Sequence, residues 1–146
     1  MGQLISMPNP EKLKEIFKDY SYIASAYLFG SQASGRVTPI SDLDIAILLK
    51  DNAPNARELL HKMDYLAYRI EEAFQTKEVD LIELNSQGLI FQYNVLRTGK
   101  LIYNADPLFR VNYVTRLITA YCDFEPTIRF IKRFHLQGIK NRVAKI

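Results

Sequence analysis

The apolar run Leu43–Leu49 most constrains what this chain can fold into, because it is short, nearly continuous and bounded by turn-forming residues. A run of this length and composition is typical of a buried strand. Two carboxylates, Asp42 and Asp44, stand one residue apart at its beginning. Successive side chains of a strand point to opposite faces, so both carboxylates point one way while Leu43 and Ile45 point into the packing.

The pair Asp42 and Asp44 needs a neutralising partner. Two carboxylates held side by side repel each other, so at least one would take up a proton if no positive charge were near. A purely structural use is therefore costly, whereas a divalent cation removes the cost. Ligands that are all oxygen favour Mg²⁺, for which Mn²⁺ can substitute. The sequence thus predicts a metal site at these two residues.

A Gly-Ser pair precedes the carboxylates and suits the same site. Gly30 and Ser31 follow a second apolar run, so they form the turn that leaves a strand. Such a turn exposes backbone N–H groups, glycine lets a phosphate come close, and the serine hydroxyl adds a hydrogen bond. Arg36 in the same connection is placed to hold a terminal phosphate. A polyphosphate beside a carboxylate-bound cation is the usual arrangement for phosphoryl or nucleotidyl transfer.

A third carboxylate is needed if the site is to deprotonate an attacking hydroxyl. The next strand signal, Glu78–Leu84, alternates with a period near two and carries Asp80, whose neighbours Val79 and Leu81 face the packing. We take Asp80 as the third carboxylate, with Glu78 on the same face as the alternative. A buried Asp80 paired with an arginine would be the structural reading of the same residue.

The remaining pattern predicts an α+β fold with a small mixed sheet flanked by helices. Pro10 and the residues after it suit a first helix, and a later amphipathic stretch suits a second. A long closing helix follows, which we expect Pro126 to kink or interrupt. The predicted elements are a helix over 10–20, strands over 22–29 and 42–49, a helix over 57–74, a strand over 78–84, a short helix after Ser86, a strand over 100–104 and the closing helix.

Length and composition place these elements in one domain. The chain has 146 residues, of which 48% are hydrophobic and 24% charged, as in ordinary globular proteins. We expect a single domain over 1–146, with a core over about 10–105 and a helical arm over about 107–146. The net charge of +3 is too small to indicate nucleic acid as the main partner. We see no signal peptide or membrane span, and the single Cys122 fits a cytoplasmic protein.

The motif Gly30-Ser31, ten residues, then Asp42-x-Asp44, with Asp80 on a following strand, resembles that of the DNA polymerase β-like nucleotidyltransferase superfamily. In size and layout the chain resembles its smallest branch, the minimal nucleotidyltransferase (MNT) proteins. The resemblance implies the fold of that superfamily, with a nucleoside triphosphate such as ATP held at Gly30 and Ser31. It also implies two Mg²⁺ ions on Asp42, Asp44 and Asp80, and transfer of a nucleotidyl group to a hydroxyl with release of pyrophosphate.

The same resemblance implies a partner protein. Members of the MNT branch often act as antitoxins that transfer AMP to a tyrosine of a HEPN-domain ribonuclease toxin. The basic C-terminal segment, which includes Arg129, Lys132 and Arg133 with aromatic residues between the charges, suits docking of such a partner. Two alternatives stay open: nucleotidyl transfer to a small hydroxylated molecule such as an aminoglycoside, and a stoichiometric antitoxin with little turnover. We expect an enzyme that modifies a small molecule to carry an extra domain for the acceptor. A purely stoichiometric antitoxin would have no need for clustered carboxylates.

Overall fold

The computed structural model describes residues 9–30, 43–75 and 78–144, which form four helices and four strands. Every helix and strand expected from the sequence is present, with ends that differ by at most three residues. In chain order the elements are α1 (Pro10–Phe17), β1 (Ile23–Phe29), β2 (Leu43–Leu49), α2 (Ala56–Phe74), β3 (Val79–Glu83), α3 (Leu89–Thr98), β4 (Lys100–Asn104) and α4 (Pro107–Ala144).

The four strands make one mixed sheet in the order β3-β2-β1-β4. Strand β1 pairs antiparallel with both β2 and β4, whereas β2 and β3 run parallel. Parallel neighbours need a crossover connection, and α2 supplies it between β2 and β3. The predicted α+β class, a small mixed sheet flanked by helices with a long C-terminal helix, is confirmed.

The two faces of the sheet pack against different helices. On one face Leu43 and Ile45 of β2 are buried in a cluster with side chains of α1 and α2. On the other face Ala46 belongs to a second cluster with side chains of α3 and α4. Fully burying one such aliphatic side chain contributes roughly 1.5–3 kcal/mol, so these clusters fix which way the strand faces. By the alternation along β2, Asp44 shares the face of Ala46.

Helix α2 has distinct start and stop signals that set the length of the crossover. The side chain of Asn55 caps its first turn by accepting a hydrogen bond from the backbone N–H of Glu58 at 2.9 Å. The helix ends at Gln75, whose φ of 49° lies in the left-handed region that commonly terminates helices. The chain then needs only three residues to reach β3.

Helix α4 continues through Pro126, so the expected interruption there is wrong. Proline removes one backbone N–H and leaves the carbonyl of Cys122 without its helical donor. Both residues are exposed, so water can take the place of that hydrogen bond. The helix has 38 residues and is therefore about 57 Å long. In the described part of the chain, no helix combines the length and apolar character needed to cross a membrane.

Candidate active site

Asp44 and Asp80 lie side by side at one end of the sheet. The parallel register pairs Asp44 of β2 directly with Asp80 of β3, and the preceding pair is Leu43 with Val79. Neighbouring strands are about 4.8 Å apart, and paired residues point to the same face. Asp44 is partly buried and Asp80 is exposed, so the pair is open to solvent. The fold thus brings together two of the three carboxylates that the sequence singled out.

Gly30 ends β1 next to the same carboxylates, because the residue before it, Phe29, is the cross-strand partner of Asp44. The φ of Gly30 is +75°, in the region that favours glycine. A Cβ atom added to Gly30 would lie 2.5 Å from Oδ2 of Asp44, which is far inside ordinary contact distance. Conformation and space therefore both require glycine at this position. A role for Gly30 in binding phosphate stays a prediction.

Helix α3 supports the end of β1 from the side of the carboxylates. The rings of Phe29 and Phe91 meet edge to face with centroids 5.7 Å apart. Gly99 ends the helix so close to β1 that an added Cβ would lie 3.1 Å from the carbonyl oxygen of Leu28. The next residue, Lys100, pairs with Leu28 in the sheet. Lys100 therefore shares the face of Leu28, which is opposite the face of Asp44.

Side chains outside the strands hold β3 at both ends. At its start, the backbone N–H of Val79 donates to Oε1 of Glu71 in α2 at 3.0 Å. Beyond its end, Asn85 accepts from the N–H of Leu49 at 2.8 Å and donates to the carbonyl of Leu49 at 2.9 Å. Sequence reasoning missed both residues. No local pattern identifies them, since the bonded positions are eight and 36 residues apart.

Three of the predicted site residues, Ser31, Arg36 and Asp42, lie outside the described residues. Their roles therefore stay predictions. Within residues 9–30, 43–75 and 78–144, no group of three or more His, Cys, Asp or Glu side chains is placed to hold a metal ion. Glu78, the alternative to Asp80, is exposed just before β3, and its carbonyl accepts from the N–H of Leu43 at 3.1 Å.

The donor set of Asp44 and Asp80 fits a hard divalent cation. Both ligands are carboxylate oxygens, the type that Mg²⁺ and Mn²⁺ prefer. The in-register pairing brings two negative charges together at an open edge, where a cation removes their repulsion. Asp42, two residues before Asp44 in the sequence, would be the third ligand of such a site.

The last part of α4 forms an exposed basic arm, which we define as residues 129–142. Ile128 is the last buried side chain of the helix among those described up to residue 142, and beyond it Phe130 and Phe134 are 69% and 75% exposed. Their rings stack with centroids 6.4 Å apart. Arg129 forms an ion pair with Glu125 at 2.7 Å, which raises the pKa of Arg129. The arm itself contains five basic residues and no acidic residue: Arg129, Lys132, Arg133, Lys140 and Arg142.

Two side-chain contacts with α3 attach the first half of α4 to the rest of the fold. Tyr113 of α4 donates to the side-chain oxygen of Gln92 in α3. Burial, and then the nearby Tyr27, raise the pKa of Tyr113 well above the ordinary value, so the phenol stays a donor. About two turns further along α4, Tyr121 stacks on Tyr93 of α3 with centroids 3.6 Å apart. The arm therefore extends from a firmly held helix.

A groove of about 690 Å³ lies beside α2, on the face of the sheet opposite the carboxylates. Two of its charged residues form an ion pair, since Arg69 contacts Asp19 at 3.1 Å, and Arg69 also lies 5.9 Å from the ring centre of Tyr20. We assign this groove no part in the chemistry of Asp44 and Asp80.

Comparison with known proteins identifies the segment that carries these residues. Residues 11–108 match the family model described as polymerase beta, nucleotidyltransferase. The match includes Gly30, Asp44 and Asp80. Among known sequences, protein adenylyltransferase MntA of Shewanella oneidensis is 29% identical over 111 residues, which cover 73% of this chain and 76% of that protein.

Solved structures resemble the fold over most of its length. A crystal structure described as a toxin-antitoxin with AMP-PNP has a TM-score of 0.58 and 26% identity, covering 84% of this chain and 98% of that chain. A second structure, a tri-AMPylated Shewanella oneidensis HEPN toxin in complex with MNT antitoxin, has a TM-score of 0.52 and 24% identity, covering 90% and 98%. The second likeness shows the fold alone.

Proposed function

This chain belongs to the polymerase beta nucleotidyltransferase family, and on that premise we propose that it transfers AMP from ATP to a tyrosine hydroxyl of a partner HEPN-type toxin. The transfer would silence the toxin, so the protein would act as its antitoxin. The observation that carries the proposal is the pairing of Asp44 with Asp80 next to Gly30, inside the segment that matches the family. The relative named adenylyltransferase and the similar structure with AMP-PNP support ATP as the donor.

The donor nucleotide binds with its phosphates at the turn after β1. The left-handed Gly30 leaves the backbone open to a phosphate, and Ser31 adds a hydroxyl donor. Arg36 supplies positive charge from the connection that follows. These groups would hold the triphosphate next to the carboxylates.

The carboxylates hold the metal and receive the proton. Asp42, Asp44 and Asp80 would bind Mg²⁺, two ions in the full site, and the bound metal would neutralise the charge that develops on the phosphates. The tyrosine oxygen attacks the α-phosphorus, a new O–P bond forms, and the bond to the pyrophosphate oxygen breaks. The phenolic proton would pass to Asp80, or Asp80 would instead hold the metal ion that makes the hydroxyl more acidic.

The basic arm is the surface on which the toxin docks. Exposed aromatic and aliphatic side chains lie between its positive charges, and such a mixture is typical of protein interfaces. A stretch of five basic residues without an acidic one would repel a second copy and attract an acidic surface. Within this arm we place the contact at Arg129, Lys132 and Arg133. Docking would bring the tyrosine in line with the α-phosphate.

The decisive experiment is incubation of the chain with ATP, Mg²⁺ and the protein encoded by the neighbouring gene, followed by intact mass. We expect the partner to gain whole AMP groups, and we expect EDTA to abolish the gain. Truncation after Ile128 removes the arm and retains Leu117 and Ile128, which are buried. That variant should keep its fold and its affinity for ATP but modify the partner far more slowly.

Coexpression separates enzymatic from stoichiometric silencing. The intact chain should restore growth in the presence of the toxin, whereas Asp44→Asn should not. Growth restored by Asp44→Asn with no AMP on the toxin would contradict the proposed transfer and would favour an antitoxin that acts by binding. AMP transfer by the truncated chain at the full rate would show that docking occurs elsewhere.

A further inference from the structure

Among the described strands, β3, which carries Asp80, lies at the edge of the sheet and has β2 as its single neighbour. In the parallel ladder with β2, Leu43 is paired with Val79, and the N–H of Leu43 donates to the carbonyl of Glu78. In such a ladder the residues that flank Val79 make the bonds to β2, so the N–H of Val79 itself points to the open edge. This N–H needs a partner other than a strand.

The partner of that N–H is the carboxylate of Glu71. Glu71 lies in the last turns of α2, is partly buried, and accepts the hydrogen bond from Val79 at 3.0 Å. Only the left-handed Gln75 and a few residues connect this helix to β3. The contact therefore joins the rigid end of α2 to the first residue of the strand, one position before Asp80.

We propose that Glu71 is a positioning residue for the nucleotidyl transfer. By fixing the first amide of β3, its carboxylate holds Asp80 opposite Asp44 at the separation that a shared metal site requires. This inference rests on the proposed function of Asp80. Hydrogen bonds that orient ligand-bearing groups typically change metal affinity or activity by about 10–100-fold when they are removed. We expect a loss near the lower end, since Leu43 and Glu78 still join the two strands.

The test replaces Glu71 with two residues of similar length. Glu71→Met keeps the volume and the helix propensity but has no strong acceptor, whereas Glu71→Gln keeps the accepting oxygen without the charge. Glu72→Met is the matched control, because Glu72 is the exposed neighbour of Glu71 in the same helix. Asn85→Ala is the second control, since it loosens the same strand pair about 16 Å from Asp80.

Two measurements distinguish positioning from general loosening. The first is the affinity for Mn²⁺, measured by calorimetry in the presence of a non-hydrolysable ATP analogue. This measurement does not depend on turnover. The second is kcat and KM for AMP transfer to the partner, at a temperature where circular dichroism shows every variant folded. Glu71→Met should bind Mn²⁺ about tenfold more weakly and lose a similar factor in kcat, with KM for the partner unchanged. Glu71→Gln should restore most of both values.

The controls decide the outcome. Glu72→Met should behave as the unchanged protein, and Asn85→Ala should melt at a lower temperature while keeping kcat and Mn²⁺ affinity. Unchanged Mn²⁺ affinity in Glu71→Met, an equal loss in Glu71→Gln, or an equal loss of kcat in Asn85→Ala would each overturn the inference. Failure of the proposed function is distinguishable, because then the unchanged chain itself would neither bind Mn²⁺ nor transfer AMP.

Discussion

Replacing Gly30 with alanine tests the geometry on which the proposed site depends. Two separate costs arise from one methyl group. The first is conformational, because φ is +75° and an L-residue with a Cβ is strained there. The second is steric, because the new Cβ would lie 2.5 Å from Oδ2 of Asp44. The first cost lowers stability, and the second displaces a side chain that we expect to take part in the reaction.

The sizes of both costs follow from the structure. Holding alanine in the left-handed region costs roughly 1–2 kcal/mol of unfolding free energy. Ordinary contact begins near 3.4 Å, so relief of the 2.5 Å approach moves the Asp44 carboxylate by about 0.9 Å, the difference between the two distances. A displacement of about 1 Å in a reacting group reduces turnover by about 10²-fold. We therefore expect a modest loss of stability and a large loss of transfer.

The assay combines urea unfolding with the rate of AMP transfer to the partner measured by intact mass. Gly88→Ala is the matched control, because a Cβ at Gly88 meets nothing within 4 Å and its φ of −65° suits any residue. This control should transfer AMP at the normal rate. A normal rate in Gly30→Ala would refute the reasoning, since it would mean that the space between Gly30 and Asp44 is not used in the reaction.

A double-mutant cycle isolates the steric part of the stability cost. In an Asp44→Ala background the carboxylate is absent, so Gly30→Ala should cost only the conformational strain. The difference between the two backgrounds gives the coupling between the positions. Equal costs in both backgrounds would show that Gly30 and Asp44 do not touch.

The remaining predictions address the metal site, the phosphate turn and the fold. Asp80→Asn should abolish transfer without lowering the melting temperature, because it removes repulsion between carboxylates; a large loss of stability would instead make Asp80 a structural residue. Ser31→Ala should weaken ATP binding by about one to two orders of magnitude, since a hydrogen bond to a charged group contributes roughly 1.5–3 kcal/mol; unchanged calorimetry would exclude contact with phosphate. Asn55→Ala should lower the unfolding free energy by about 1 kcal/mol, measured in urea, through loss of the cap on Glu58. Burial raises the pKa of Tyr103 above its ordinary value of 10.0. Above pH 10 the unfolded chain releases this proton while the folded chain keeps it, so the free energy of unfolding should fall as the pH rises further. Tyr103→Phe should reduce this alkaline loss, and an identical pH profile in the variant would contradict the assignment.

The sequence by itself determined the faces of the strands and predicted which residues form the site. The two-residue period of Leu43, Asp44 and Ile45 was enough to place the carboxylate on the face opposite Leu43 and Ile45, which are buried together against α1 and α2. The spacing of apolar residues was likewise enough to identify α2 and the start of α4. These properties are local, because they depend on backbone periods and on transfer of side chains from water.

Only the tertiary structure decided which residues meet. Nothing in Val79–Glu83 states which residue of β2 it pairs with, yet a shift of one position would turn Asp80 to the other face. The register that pairs Asp80 with Asp44 depends on the length and packing of α2, with Glu71 bonded to the first amide of β3. The sequence also predicted that Pro126 would kink or interrupt the closing helix, yet α4 continues through it, since water at the exposed surface can replace the missing hydrogen bond. Such contacts join residues far apart in the chain, so their energies depend on the whole packed structure and leave no periodic signal.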